Sequence, residues 1–234
     1  MKITRMILFV MAAMFLSPYT VFAQNSSTST SVSKMAKSMK KQGFVDIADY
    51  DSTIIVSLMY SRADNFTHQI LYDDLTEAFL HPLAAEALVK AQKELKKLRP
   101  KWNLIVYDAA RPMSVQQKMW NVVKGTSKSI YVSNPANGGG LHNYGFAVDV
   151  SICDENGDSI PMGTVVDHLG KEAHTDNETE LVKRGIMSAE ALENRKLLRE
   201  VMSAGGFKVL RTEWWHFNLK TRSQVKSEGR KPIL

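Results

Sequence analysis

The sequence predicts an α+β fold, with a mainly antiparallel central sheet flanked by helices. Stretches rich in β-branched and apolar residues mark strands at 53–60, 104–107, 146–152, 207–210 and 214–219, and amphipathic stretches mark helices over 82–98, from 114 onward and over 188–204. The two kinds of element mix without the regular alternation that builds a parallel sheet. Length agrees with a single such unit, because 234 residues bury one substantial core and are too few for two full-sized domains. With 44% hydrophobic and 23% charged residues, the composition excludes a disordered tail, a collagen-like fibre and a polytopic membrane protein.

Ahead of the first element, Lys2 and Arg5 precede an apolar run from Met6 to Leu16, Pro18 interrupts it, and the small-residue site Val21-Phe22-Ala23 follows. A bilayer crossing needs about 20 apolar residues, so the run is too short to span. The order of basic, apolar and small segments is that of a secretory signal peptide over residues 1–23. No cysteine follows the run, so export without a stable membrane anchor is expected, with the periplasm as destination and secretion as the alternative. Residues 24–42 are rich first in Ser and Thr and then in lysine (Lys34, Lys37, Lys40, Lys41), and read as a flexible leader. The folded domain is expected over 43–234.

Thr53–Tyr60 suits a strand ending at Tyr60. Pro82 opens a helix in which Ala84, Ala87, Leu88, Ala91, Leu95 and Leu98 recur at helical spacing; Glu86 can pair with Lys90, and Pro100 closes the segment. Leu104–Tyr107 reads as a buried strand, followed by a turn containing Arg111-Pro112. Ser114 with Gln117 makes a capping-box start for a helix carrying Val115, Met119 and Val122. Gly125–Gly140, rich in Ser, Asn and Gly, reads as a long functional loop. Phe146, Val148, Val150 and Ile152 then alternate with Ala147, Asp149 and Ser151, which turns Asp149 away from the apolar face. Ser188 caps a helix through Ala204, with Leu192, Leu198, Val201 and Met202 on its apolar side and Gly205-Gly206 as its stop.

The net charge is +6, from 30 basic and 24 acidic residues, and its excess lies near the ends, at the lysines of the leader and at Lys220, Arg222, Lys226, Arg230 and Lys231. No aromatic residues interleave with that C-terminal group, so solvated termini are expected rather than a nucleic-acid surface. The single cysteine, Cys153, excludes an internal disulfide framework and a Cys-rich zinc cluster, and reads as a structural thiol. A metal site must therefore use His, Asp or Glu.

Six histidines are present, and two have unusual settings. His142 follows Gly138-Gly139-Gly140 and precedes Asp149; His216 follows Glu213 within Thr-Glu-Trp-Trp-His-Phe. Two imidazoles and a carboxylate (His142, Asp149, His216) are a standard protein ligand set for catalytic zinc, with a fourth position for water. Glu213 would be left as the base, and Arg111 as a fixed cation against a developing oxyanion. Glu213 and His216 are an odd number of residues apart, so a regular strand would face them oppositely. Their convergence predicts an irregularity near Trp214. Taken singly, each histidine also has a structural reading. His168 and His174 lie in a polar stretch and read as surface or supporting residues, and Trp214 and Trp215 as packing residues, one of which could wall the site.

Separated segments together resemble one family, the zinc D-alanyl-D-alanine dipeptidases and their envelope relatives. They are Tyr60-Ser-Arg-Ala-Asp-Asn-Phe66, Tyr107-Asp-Ala-Ala-Arg-Pro112, Tyr131-Val-Ser-Asn-Pro135, His142-Asn-Tyr-Gly-Phe-Ala-Val-Asp149, Pro161-Met-Gly-Thr-Val-Val-Asp167 and Glu213-Trp-Trp-His216, within about Ile47 to Leu219. The resemblance implies the metallopeptidase fold shared with hedgehog-like domains, and one Zn2+ held by His142, Asp149 and His216. It further implies Glu213 as general base and then acid, and Arg111 as the stabiliser of the tetrahedral intermediate. Tyr60 and Asp167 match residues that hold the free ammonium group of a small peptide substrate. One position departs: the family pattern places Ser two residues before the first zinc histidine, where it can bind the substrate carboxylate, and this chain has Gly140. Gly140 is expected to weaken that contact unless a backbone N–H replaces the hydroxyl. Two other functions stay open from sequence: a D,D-carboxypeptidase or peptidoglycan endopeptidase with the same zinc site, and a non-enzymatic, zinc-stabilised wall-binding module.

Overall fold

The computed structural model describes residues 33–234, so the signal-peptide expectation for 1–23 lies outside the described residues. The leader expectation for 24–42 is corrected where it can be compared. Helix α1 (Lys34–Lys41) is capped by Ser33, whose Oγ accepts from Ala36 N at 2.8 Å. Its lysines face solvent, while Ala36 and Met39, three positions apart, are fully buried. A lysine-rich stretch with two apolar residues on one face is thus part of the fold.

Strand β1 (Val45–Asp46) pairs antiparallel with β3 (Phe79–Leu80). Between them the expected strand 53–60 shrinks to β2 (Ile55–Val56), and Met59–Ser61 forms a turn of 3-10 helix that buries Tyr60. Helix α2 (Pro82–Leu98) has the bounds its prolines and periodicity predict. It is followed by β4 (Asn103–Asp108), α3 (Met113–Val123) and β5 (Ala147–Cys153). The chain ends through α4 (Glu178–Lys183), α5 (Ala189–Ala204), β6 (Lys208–Leu210), β7 (Glu213–Asn218) and α6 (Arg222–Ser227). Ser188 Oγ caps α5 by accepting from Ala191 N, as expected. Helix α3 differs from its expected start. It begins two residues earlier, with Pro112 rather than Ser114 at the N-cap, and has no side-chain cap; Met113 N donates instead to Ile233 O, from the C-terminal segment.

The five-stranded sheet has the order β2-β4-β5-β7-β6. The pairs β4–β5, β5–β7 and β6–β7 are antiparallel, but β2–β4 is parallel, so the sheet is mixed. The parallel pair is possible because the connection from β2 to β4 contains α2, long enough for a crossover. Buried Gln92 ties α2 to β4, accepting from Leu104 N and donating to Asn103 Oδ1 and Thr53 Oγ1 at 2.8–2.9 Å, which satisfies its amide. All seven residues of β5 are buried, so the polar face carrying Asp149 is covered as well as the apolar one.

Two irregularities in the sheet position functional side chains. In β4–β5, Val106 pairs with Val150 but Asp108 pairs with Asp149, so Tyr107 is bulged out and Asp108 is set opposite Asp149. In β6–β7, Val209 pairs with Phe217 and Leu210 with Glu213, which leaves Trp214–His216 as extra residues in β7. The irregularity expected near Trp214 is therefore present.

Gly145 closes the turn between the His142 segment and β5 with φ +68°. A Cβ there would lie 2.5 Å from the Phe44 ring and 2.8 Å from His81 N. Gly145→Ala combines a left-handed backbone with a clash against main chain and is expected to lower stability by about 2–3 kcal/mol. Denaturant unfolding of the pair of proteins would show it as a lower midpoint at unchanged slope.

Candidate active site

A cavity of about 350 Å³ gathers all seven side chains singled out from the sequence: Tyr60, Arg111, His142, Asp149, Asp167, Glu213 and His216. His142 lies in a turn of 3-10 helix (Leu141–Tyr144), and Asp149 and His216 are cross-strand partners on β5 and β7. Residues paired in that way project to the same face.

The three ligand atoms converge. His142 Nε2 is 3.1 Å from His216 Nδ1 and 3.3 Å from Asp149 Oδ1, and His216 Nδ1 is 3.0 Å from Asp149 Oδ1. Each imidazole uses its other nitrogen outside the cluster. His142 Nδ1 donates to Ala109 O at 2.6 Å, and His216 Nε2 donates to Asn218 Oδ1 at 3.0 Å. Those bonds fix the tautomers and turn a lone pair from each ring toward the carboxylate. Three acceptors with no proton between them repel unless a cation lies among them. Tetrahedral ligands about 2.0–2.1 Å from zinc stand about 3.3 Å apart, close to the separations found. The donor set fits zinc and could hold other divalent ions.

Glu213 stands just outside this set, its Oε2 3.9 Å from His216 Nδ1, because the β6–β7 irregularity lets it share the face of His216. It is 8% exposed. Burial, reinforced by Asp149 and Asp167 and opposed by His216, raises its carboxyl to about 8.

Arg111 is held by residues that the sequence did not single out. Its Nε donates to Asp108 Oδ2 at 2.9 Å, its Nη2 makes a second bond to the same oxygen, and its Nη1 donates to Gln116 Oε1 at 2.9 Å. Tyr72 Oη donates to Asp108 Oδ1 at 2.6 Å, completing the carboxylate's partners. Burial alone would weaken the guanidinium, but Asp108 holds it well above its ordinary value, so the cation is permanent. It lies 5.3 Å from the centre of the Tyr60 ring and 3.8 Å from Asp149 Oδ2. The signal for Asp108 was a carboxylate at the end of an apolar strand, three residues before a candidate arginine.

Tyr60 Oη donates to Asp167, 2.8 Å from Oδ2 and 3.1 Å from Oδ1. Burial, then the charge of Asp149, raises Asp167 to about 7, and burial together with Asp167 pushes the Tyr60 phenol well up. Asp167 has φ +64°, a left-handed conformation rare outside glycine. Its loop is clamped from α5 and β7: Asn194 Nδ2 donates to Pro161 O at 2.8 Å, buried Arg195 Nε to Met162 O at 2.7 Å, and Trp214 Nε1 to Thr164 Oγ1 at 2.7 Å. A strained residue on a clamped loop is a common mark of a binding site.

Other candidates stay outside. Trp214 and Trp215 pack in the core and line no part of this cavity. His168 pairs with Glu172 at the surface, and His174 meets the hydroxyl of Tyr131 at 3.1 Å, behind the cavity wall. Cys153 is buried and donates to Asn103 O at 3.4 Å, and burial pushes its thiol up, as suits a structural residue.

Comparison with known proteins gives the same direction. Residues 40–228 match the family described as D-ala-D-ala dipeptidase. A D-alanyl-D-alanine dipeptidase of Escherichia coli is 30% identical over 177 residues, 75% of this chain and 83% of that protein. One from Enterococcus faecalis is 33% identical over 79 residues, 33% of this chain and 36% of its own, and one from Synechocystis is 25% identical over 56% and 65% respectively. On a match that runs through nearly every described element, the chain belongs to the D-ala-D-ala dipeptidase family.

Proposed function

We propose that this protein is an exported zinc metallopeptidase that hydrolyses D-alanyl-D-alanine, or a similar D-amino-acid dipeptide, in cell-wall metabolism. The carrying observation is one cavity that holds a zinc-compatible ligand set, a buried carboxyl beside it, a fixed guanidinium and a separate, partly buried carboxylate at Asp167. Its volume is at the small end of ligand pockets, which suits a dipeptide better than a wall polymer.

His142, Asp149 and His216 would hold the zinc, which supplies a water of lowered pKa and polarisation of the scissile carbonyl. Burial alone would keep Glu213 protonated at neutral pH, but the charge of a bound zinc would lower its carboxyl. The ionised Glu213 then takes the proton of the attacking water and returns it to the leaving nitrogen, so the water oxygen bonds to carbon as the C–N bond breaks. Arg111, immobilised by Asp108 and Gln116, faces the oxygen on which negative charge grows. Asp167, with Tyr60, pairs with the substrate ammonium. A chain extended at that end would leave the partly buried carboxylate without its cation, which favours a dipeptidase over a carboxypeptidase acting on stems. A module that only bound the wall would need neither Glu213 nor Arg111.

Export rests on the signal-like order of residues 1–23, with the periplasm as the proposed site and secretion as the alternative; no helix among the described residues is long and apolar enough to cross a membrane. A peptide panel tests the reading. Zinc-loaded protein is expected to release alanine from free D-alanyl-D-alanine, to lose that activity in chelator and regain it with zinc, and to leave the N-acetylated dipeptide and a pentapeptide stem intact. Equal cleavage of the blocked peptides would establish the carboxypeptidase reading instead.

A further inference from the structure

A dipeptide whose ammonium meets Asp167 also brings a carboxylate into a cavity that already holds Asp149, Asp167 and Glu213. That carboxylate needs a donor. Residue 140 cannot supply one. It has no side chain, and its N–H donates to Asn143 Oδ1 at 2.8 Å, so the backbone substitute considered from the sequence is already engaged.

Three further donors of the lining are committed too, although Thr212, Asn218 and Arg222 also bring donors to the cavity. Arg111 and Gln116 are bonded to each other and to their frame, and Tyr60 to Asp167. Ser133 is different. Its hydroxyl has no hydrogen-bond partner among the described residues, and it lines the same cavity. A Cβ built on Gly140 would lie 2.9 Å from Ser133 Oγ and 3.3 Å from Ser133 Cβ. The hydroxyl of residue 133 therefore stands in the space that a side chain at 140 would enter, two residues before His142. Its main chain is fixed as well, since Gln116 Nε2 donates to Ser133 O at 2.7 Å while Gln116 Oε1 accepts from Arg111. One amide thus sets the spacing between the guanidinium and this hydroxyl.

We propose that Ser133 donates its hydroxyl to the substrate carboxylate and so determines specificity for a free C-terminus, in the place that Gly140 leaves vacant. This inference rests on the dipeptidase reading. Arg222, at the first turn of α6 with Nη2 donating to Asn137 O at 2.7 Å, also lines the cavity and is the rival donor.

The test compares wild type, Ser133→Ala, Arg222→Ala and the double variant Ser133→Ala/Gly140→Ser on free D-alanyl-D-alanine and its C-terminal amide. Loss of one hydrogen bond to a charged group is expected to raise KM for the free dipeptide about tenfold to a hundredfold in Ser133→Ala. kcat should stay within about threefold, and KM for the amide should not move. In the double variant, removal of Ser133 Oγ clears the closer contact for a side chain at 140, and KM should return toward wild type. Calorimetric binding of D-alanyl-D-alanine to the zinc-loaded proteins in a Glu213→Gln background should follow the same order without turnover. An unchanged KM in Ser133→Ala, or a carboxylate-dependent rise in Arg222→Ala alone, overturns the assignment to Ser133 while the dipeptidase reading stands. A wild type that leaves the free dipeptide uncut overturns both.

Discussion

Glu213→Gln is expected to lower kcat on D-alanyl-D-alanine by about 10²–10⁴-fold while the protein keeps one zinc per chain. The size follows from losing a positioned proton acceptor. The retained metal follows from geometry: the three convergent ligand atoms belong to His142, Asp149 and His216, and Glu213 Oε2 stands 3.9 Å from His216 Nδ1. Glutamine keeps the shape of the side chain and cannot take a proton. The fold should tolerate the change, since burial already disfavours the ionised carboxyl. Released alanine and metal content, measured on the same preparation, separate the roles. Turnover preserved in the variant would place the base elsewhere, and zinc lost with turnover would make Glu213 a ligand.

Five of the seven candidate site residues, Arg111, His142, Asp149, Glu213 and His216, could be picked out by the type and order of their chemistry along the chain, whereas Tyr60 and Asp167 came only from the family resemblance. Two imidazoles and a carboxylate announce a metal wherever the fold brings them. The constraint that Glu213 and His216 share a face even demanded an irregular strand, and the extra residues at 214–216 of β7 provide it. Helices framed by Pro82 and Pro100, or by Ser188 and Gly205, were equally plain, because end signals and periodicity agree there.

What escaped depends on long-range pairing. The direction of β2 against β4 has no local signature, so the parallel edge of the sheet was not foreseen. The bulge at Tyr107 that sets Asp108 opposite Asp149 is a property of two strands together. Asp108, Tyr72 and Gln116 carry no reactive pattern of their own; they matter because Arg111 is buried and must be paired. The helix at 34–41 was hidden by its lysines, since two buried residues among eight give a weak period. Gly140 was noticed as a departure, but the hydroxyl beside it belongs to a loop residue seven positions earlier, a proximity only the fold creates.

Asp167→Asn is expected to lower kcat/KM for the free dipeptide by about 10²–10³-fold and to leave the already poor cleavage of the N-acetylated dipeptide unchanged. The magnitude is that of removing one partner of an ion pair that bound substrate would shield from water, whose other member is the substrate ammonium. Asparagine suits the position, because it tolerates the left-handed backbone at φ +64° and its carbonyl oxygen can accept from Tyr60 Oη. The charge is therefore the main thing that changes. A sign check on stability distinguishes this from damage to the fold. Asp167 is raised by burial from 3.8 to about 7, so between those values the metal-free folded protein binds more protons than the unfolded chain. Stability then falls as pH rises through that window, with Glu213 adding to the fall, and Asp167→Asn should remove Asp167's share of the slope and be no less stable than wild type at pH 7. Substrate binding selects the ionised carboxylate, so wild-type KM should rise as pH falls, with a midpoint that the charge of a bound zinc displaces below 7, and the variant should lack that dependence. Thermal melts of metal-free protein across pH and KM profiles of both proteins measure the two effects. A variant that still prefers the free dipeptide over the acetylated one would remove Asp167 from ammonium recognition.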